Sequence, residues 1–579
     1  MQEVKQPIHH DPPPGKEFRP RDVRRRNFLQ LLAALIMVIA LNLIGQVYFV
    51  RWDLTSEKRY TLTQGTRQML RNLDEPVYFR VYLEGNLPPG FRRLSNQTRE
   101  MLQEFRAYSD YIQFDFINPA ESGSSRQNQQ IQQMLIEKGL EPTQVQIQAD
   151  DATTRQVIFP GALVSYQGRE VTASLLEDHL GLSSEAILNN SAQALEYNLI
   201  DAIRQLTVQQ VPKIAFLQGH GELAPPFVAD ITRTLSGYYD VDRLDFPQQM
   251  QELIEYKSLI VAKPQEEFSE RDKFMIDQFV MQGGSVLWLV DPVLASMDSL
   301  RPPTFETLGM ARSLNLDDMF FRYGVRLNPN LLMDLQAAPI PVTTGMIGSQ
   351  PQISLLPWHF FPLLNPRGDH PIVRNLNMIR SEFVSNIDTV EVPANKKTVL
   401  LATSPYTRVA STPVSIGLGM LQEPVNEQLF RGPAQPVAVL LEGPFESNFQ
   451  NRPNPGVTMP RQLPRRDTGV PARMIVVADG DIIRNQISPD GEPLSLGYDR
   501  YTRQNFGNKD FILNAVNYLT DDAGLMEARA REVRLRMLDS TLVGRNRLGI
   551  QLLNTLVPVL LVILFGMVRI LWRRRRYTR

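Results

Sequence analysis

A chain that is apolar near each end for about the thickness of a bilayer has few options for its middle. Ile550 to Trp572 contains Val557-Pro-Val-Leu-Leu-Val-Ile-Leu564 and is followed by Arg573, Arg574, Arg575 and Arg576. Phe28 to Val50 is interrupted only by the uncharged Gln30, Asn42, Gly45 and Gln46, and is preceded by Arg24, Arg25 and Arg26. A bilayer core needs roughly 20 apolar residues, so each run predicts a span. The first ends in Val47-Tyr-Phe-Val-Arg-Trp52 rather than small residues, which predicts an uncleaved anchor with Tyr48 and Trp52 at the far interface. Arg569 lies near the end of the second run, where a long side chain reaches the headgroups. Arginines on both outer flanks predict cytoplasmic termini. The expected protein crosses the membrane twice, in contact with the lipid bilayer, with everything between the spans outside the cytoplasm.

That middle must bury large cores. Three short runs, Ile214 to Leu217, Leu259 to Ala262 and Val286 to Val290, are apolar at successive positions rather than alternate ones, and helix-length segments separate them. Continuous apolar runs describe strands covered on both faces, so the pattern predicts a doubly wound parallel α/β sheet. The helix from Ser269 has its limits marked: Ser269 as N-cap, a stripe of Met275, Ile276, Phe279 and Val280, then Gly283-Gly284. Thr398 to Ala402, Val437 to Leu441 and Met474 to Ala478 would extend the same sheet, and a helix from Asp510 to Leu519 would close it. Two proline-rich insertions, Pro339 to Pro371 and Pro444 to Pro471, are too long for simple connections and predict interaction surfaces or arms.

Upstream, Val77 to Leu83 alternates, a helix carries Met101, Leu102, Phe105 and Tyr108, Ile112 to Phe116 alternates, and a hairpin turns at Gln167-Gly168. The order βαβα followed by a β-hairpin resembles the thioredoxin fold, in which Pro160 would be a cis proline. The expected division is a tail (1–27), a span (28–50), a thioredoxin-like domain (51–189), a connecting helix (190–210), an α/β domain (211–525), an arginine-dense juxtamembrane helix (526–549), a span (550–572) and a tail (573–579).

Chemistry is narrowed by what is missing. The sequence has no cysteine, which excludes disulfides, thiolate zinc sites, dithiol redox chemistry and cysteine nucleophiles. Its net charge of −1 supplies no field for nucleic acid. Neither a P-loop, a G-x-S-x-G elbow nor an H-E-x-x-H motif occurs. Ligands of open α/β sheets bind beyond the C-terminal strand ends. The residues there are Gly219-His220-Gly221-Glu222, Lys263-Pro264, Asp291-Pro292, Glu442-Gly443 and Asp479-Gly480-Asp481. His220, Glu222, Asp291, Asp479 and Asp481 are therefore the candidate ligand edge. Turn chemistry alone also favours Asp and Gly there, so no catalytic residue, metal or cofactor is expected.

Several stretches resemble the GldG family, gliding-motility-associated ABC transporter substrate-binding-like proteins of Bacteroidetes. They are Tyr60 to Gly65, Pro76 to Gly85, Ile214 to Leu223, Val286 to Pro292 and Leu496 to Thr502. The resemblance implies a non-catalytic subunit, two-pass in a bacterial inner membrane with its large part periplasmic, working with a polytopic ABC permease and, through it, a cytoplasmic ABC ATPase. It also implies an amidotransferase-like large domain. It transfers no catalytic residues. The alternatives are a membrane-tethered hydrolase or carbohydrate-acting enzyme using Glu222, Asp291 and Asp479, and a structural envelope scaffold.

Overall fold

A computed structural model describes residues 28–40, 61–119, 125–149, 152–177, 183–208, 211–300, 305–347, 350–422, 424–460, 463–521, 524–528 and 547–577. The chain divides into two units, Met1–Thr61 and Leu62–Arg579. In the first, helix α1 (Phe28–Ala40) is apolar and exposed. Arg24, Arg25, Arg26 and the remainder of the first predicted span lie outside the described residues.

The second unit opens with α2 (Gln64–Arg71), capped by the Thr63 hydroxyl, which accepts from Thr66 N at 3.4 Å. β1 (Val77–Val81), α3 (Pro89–Tyr108), β2 (Ile112–Phe116) and α4 (Ser125–Glu137) follow, then β3 (Thr143–Ala149), β4 (Ala152–Ile158), β5 (Gly161–Tyr166) and β6 (Arg169–Ser174). They give a four-stranded sheet of order β2-β1-β5-β6, with β1 and β2 parallel and the rest antiparallel, and a separate β3-β4 hairpin. Gln167 and Gly168 both have positive φ, as a two-residue hairpin turn requires. The bond before Pro160 is trans, correcting the cis expectation; the one cis bond among the described residues precedes Pro413. Trans is the intrinsically favoured isomer of an X–Pro bond, by about 0.5–1 kcal/mol, and here Leu175 N donates to Pro160 O at 2.9 Å and Gly161 N to Phe159 O at 2.8 Å. The connecting helix α5 (Ser184–Thr207) starts earlier than expected because Ser183 caps it. Its Leu195, Leu199 and Ile203 close the core over Val77, Phe79 and Val81.

The larger region continues with β7 (Lys213–Gln218), α6 (Ala229–Leu235), β8 (Asp240–Asp245), α7 (Met250–Ile254), β9 (Ser258–Ala262), α8 (Glu270–Met281) and β10 (Ser285–Leu289). After β11 (Val293–Leu294) and β12 (Glu306–Ala311) come α9 (Asp317–Tyr323), β13 (Val325–Leu327), β14 (Asn330–Asp334), β15 (Ala337–Ile347), β16 (Gln350–Pro366), β17 (Ile379–Arg380) and β18 (Ile387–Thr389). β19 (Lys396–Ala402), β20 (Thr407–Ser411), β21 (Val414–Gly417), β22 (Pro436–Glu446), β23 (Thr468–Val477) and α10 (Asn508–Thr520) complete it.

The main sheet has the order β15-β16-β19-β22-β23-β10-β9-β7-β8, with β17 paired to β16. It is mixed, which corrects the all-parallel expectation. β8, β7, β9, β10 and β23 are parallel, whereas β23-β22, β22-β19, β19-β16 and β16-β15 are antiparallel. Parallel neighbours need a crossover connection, and β22 returns to β23 without one. Burial on both faces is nevertheless as expected. Leu259, Val261, Val286 and Trp288 enter one core, and Ile260, Ala262, Leu287 and Leu289 enter the other. α8 has its expected cap and stripe: Ser269 Oγ accepts from Asp272 N at 3.2 Å, Gly283 has φ +100°, and a Cβ on Gly284 would meet the Phe279 ring at 2.3 Å.

Beyond α10, Leu525 joins the core of the smaller sheet, which also holds Leu62, while Met526 and Ala528 pack on Tyr197 of α5. The start of this unit and Ala528 are therefore gathered on the same helix. Of the juxtamembrane helix expected over 526–549, residues 529–546 lie outside the described residues. Helix α11 (Arg547–Tyr577) contains the 27-residue segment Gly549–Arg575, whose most apolar stretch has a mean hydropathy of 2.3 with none of that stretch buried. At 1.5 Å per residue this is about 40 Å, enough for a bilayer core of about 30 Å. Among the described residues it is the one helix long and apolar enough to cross a membrane. Arg573, Arg574 and Arg575 at its end are exposed.

Candidate functional site: a closed rim of carboxylates around Lys263

Each parallel strand of the main sheet delivers its next residues to one edge. β9 ends at Lys263, which has φ +59°, uncommon for a residue with a side chain. β10 delivers Asp291, and β23 delivers Asp479, Gly480 and Asp481. The three carboxylates each offer an oxygen within 4.8 Å of the others. Lys263 lies between them, with its ammonium 3.1 Å from Asp291 Oδ2 and in direct contact with Asp481 Oδ2. Gly480 has to be glycine, because a Cβ there would meet Cβ and Cγ of Lys263 at 2.6 Å.

The rim is shut. Asp291, Asp479 and Asp481 are 5%, 0% and 9% exposed. Asp479 is held by backbone: Oδ1 accepts from Asp481 N at 2.7 Å and Oδ2 from Glu382 N at 3.0 Å. Burial, followed by the charges of Asp481 and Asp291, pushes its carboxyl well above the usual range. Burial also raises Asp291, partly opposed by Lys263. Asp481 falls below its ordinary value because Lys263 and Arg484 outweigh its burial. Lys263 rises although burial opposes it, because Asp481 and Asp291 favour its charged form. The cluster thus carries its own counter-ion. A divalent cation bridging Asp291 and Asp481 would have to expel the lysine.

His220 and Glu222 form a separate group. The His220 ring stacks on Phe268 with centroids 3.7 Å apart, and its Nδ1 and Nε2 lie 3.4 Å from Glu222 Oε1 and Asp272 Oδ2. Glu222 Oε2 accepts from His220 N at 2.8 Å. Among the described residues no hydrogen bond or ion pair joins this group to the Asp291 cluster. The crevice between β7 and β9, where strand order reverses, is filled by the chain itself: His220 O accepts from Gln265 N at 2.7 Å and Glu266 N at 2.9 Å. The expected edge is therefore two closed clusters rather than one open site. Glu442 is elsewhere altogether. Because β22 runs antiparallel, Glu442 pairs with Arg473 on the opposite edge, where Tyr518 Oη donates to it at 2.7 Å.

Lys263 stood among the strand-end residues in the sequence, but its role did not, since nothing in Lys-Pro announces a buried ammonium. Asp272, Arg484 and Glu382 were missed as participants; they come from a helix cap and from loops that only the fold brings near.

Residues 211–515 match the family described as an ABC-type uncharacterized transport system. The chain belongs to that family. Membership gives this transport-system protein an auxiliary, ABC-associated role. Residues 56–165 match a second family, described as a domain of unknown function. An uncharacterized protein of Borreliella burgdorferi is 20% identical over 558 residues, covering 94% of this chain and 98% of that protein. The mmIFT52 N-terminal domain aligns over 53% of this chain and 98% of its own length, at 12% identity and a TM-score of 0.31.

Proposed function

We propose that the chain is a non-catalytic, membrane-anchored subunit of an ABC transporter complex, with its folded body outside the cytoplasm. It acts with a polytopic permease and, through it, a cytoplasmic ATPase. The observation that carries this reading is membership of the transport-system family across the α/β region. The closed rim supports the non-catalytic part: its carboxylates are neutralised internally and turned away from solvent, whereas a hydrolase needs them reachable by substrate. Helix α11 supports anchoring. The order β2-β1-β5-β6 supports a thioredoxin-like spacer, and the parallel half of the main sheet supports an amidotransferase-like body. The likeness to GldG proteins extends the role to gliding motility, with nucleotide-driven motion of the permease passing into the outer domains.

The test is purification of the full-length protein from its native membrane in mild detergent, with mass spectrometry of what remains bound. A permease and an ABC ATPase at fixed stoichiometry is the expected result. Recovery of the protein alone, from a preparation that preserves other ABC complexes, would overturn the reading.

A further inference from the structure

The smaller sheet and the main sheet do not share a core. Among the described residues, the cluster around Val77, Phe79 and Val81 takes in α2, α3, α5 and Leu525, but nothing between Val211 and Asp521. The cores on the two faces of the main sheet contain nothing before Ile214. Where α5 meets α10, the cluster of Tyr197, Met526 and Ala528 has the partly buried Tyr518 packed against it. The two family matches stop on either side of α5, one ending at residue 165 and the other starting at 211. So little shared apolar surface leaves the angle between the two bodies to other contacts.

Those contacts are polar, and they converge on two residues one turn apart on α5. Asp201 and Arg204 pair with each other at 2.8 Å, with side chains 10% and 18% exposed. Across the joint, Asp201 Oδ2 accepts from Tyr238 Oη at 3.0 Å; on its own helix it accepts from Gln205 Nε2 at 3.1 Å. Arg204 donates to Asn517 Oδ1 of α10 at 3.2 Å, and its guanidinium lies 5.1 Å from the centre of the Tyr238 ring. Tyr239 Oη donates to the same Asn517 oxygen at 2.7 Å and lies 2.7 Å from Thr520 Oγ1. Tyr238 and Tyr239 occupy the turn between α6 and β8. Three elements, α5, α10 and this turn, are thus tied together through Asp201, Arg204 and Asn517.

The ion pair lies within one helix, and that decides how the joint behaves. If α5 moved away from α10, Asp201 and Arg204 would keep each other and gain water. Separation therefore leaves no buried, unpaired charge, the penalty that makes an ion pair spanning an interface hard to break. What is lost is the Tyr238–Asp201 and Arg204–Asn517 bonds and the contact of Arg204 with the Tyr238 ring, each of modest net worth once water replaces the partner. The same bonds are directional, so while they hold they select one angle.

We propose that Asp201, Arg204, Tyr238 and Asn517 form a releasable latch that fixes the angle between the smaller body, residues 62–208, and the larger body, residues 211–521, and that each body keeps its own core when the latch opens. This holds whether or not the chain serves a transporter.

The sequence has no cysteine, so a pair of spin labels can be placed without removing any. Met134→Cys in α4 and Leu308→Cys in β12, both exposed positions, put one label on each body of the full chain in mild detergent, and double electron–electron resonance gives the distribution of distances between them. Tyr238→Phe combined with Asn517→Ala removes the bonds across the joint and spares the Asp201–Arg204 pair. Arg204→Lys is a second, milder variant that keeps the charge and loses the planar fork. Tyr323→Phe, which removes an equally buried tyrosine bond to Asp277 inside the larger body, is the control. The expected result is a distribution about twofold broader in both latch variants, with the control as narrow as the wild type and circular dichroism unchanged throughout. Unchanged widths in the latch variants would overturn the latch, because the angle would then be held by something else. Equal broadening in the control would overturn it as well, since the loosening would be general. Loss of the folded cores on releasing the latch would refute the independence of the two bodies.

Discussion

Lys263 is the residue on which the candidate site turns. Its ammonium contacts Asp291 and Asp481 inside a rim that solvent barely touches. Lys263→Met leaves Asp291 without its counter-ion and Asp481 with Arg484 alone, and removing one partner of a buried pair costs about 3–5 kcal/mol. Denaturant unfolding should show that loss, and adding Asp481→Asn should recover part of it; a strictly additive pair would contradict the coupling. His370 gives a pH-dependent counterpart. Burial lowers its pKa from 6.5 to about 4, its Nδ1 accepts from Ile372 N at 3.3 Å, and its ring meets Tyr518 with centroids 4.7 Å apart. The lowered value means that the unfolded chain takes up the proton first as pH falls. Stability from this group is complete above about pH 6.5 and declines toward pH 4. Relative to His370→Gln, the wild type should lose on the order of 1–2 kcal/mol between pH 7 and 4.5, after allowance for solvent screening. Equal slopes would refute the assignment.

Among the elements, α8 holds the second proline-rich insertion in place. Asp277 Oδ1 accepts from Tyr323 Oη and Asn448 N, both at 2.8 Å, and its Oδ2 accepts from Ser447 Oγ at 2.7 Å. Gln278 exchanges two 2.9 Å bonds with the backbone of Arg466. Asp277→Ala should cost about 2–4 kcal/mol, because several buried donors lose one acceptor. Hydrogen exchange should accelerate first in residues 447–460 and 463–467; uniform acceleration would mean that the anchor is not local. The same helix shows how far sequence reading reaches. Ser269, the Met275-Ile276-Phe279-Val280 stripe and Gly283-Gly284 are local signals, and each is where it was expected. The apolar runs of β9, β10, β22 and β23 were equally legible as strands buried on both faces. Strand direction was not, because it depends on how connections run, and two-sided burial looks alike in parallel and antiparallel strands. Glu442 consequently falls on the opposite edge from its predicted companions. The separation of His220 from Asp291 was illegible for a related reason: residue types at strand ends do not reveal which loops fill the crevice between them.

For the whole molecule, the turn at Leu525–Ala528 decides stability. Leu525 enters the core that contains Leu62, while Met526 and Ala528 cover Tyr197 of α5. A chain ending at Ala528 should unfold like the full-length body, whereas one ending at Asp521 should be about 2–4 kcal/mol less stable through lost apolar burial. Thermal unfolding of the two truncations tests this, and equal midpoints would contradict it. The rim has a mechanical consequence. Lys263 N donates to Leu289 O, Val290 N to Val477 O and Ser385 N to Ala478 O, at 2.9, 2.9 and 3.0 Å, so the ends of β9, β10 and β23 and the loop carrying Ser385 are joined in series. Opening the rim would therefore have to break backbone hydrogen bonds as well as the ion pairs of Lys263.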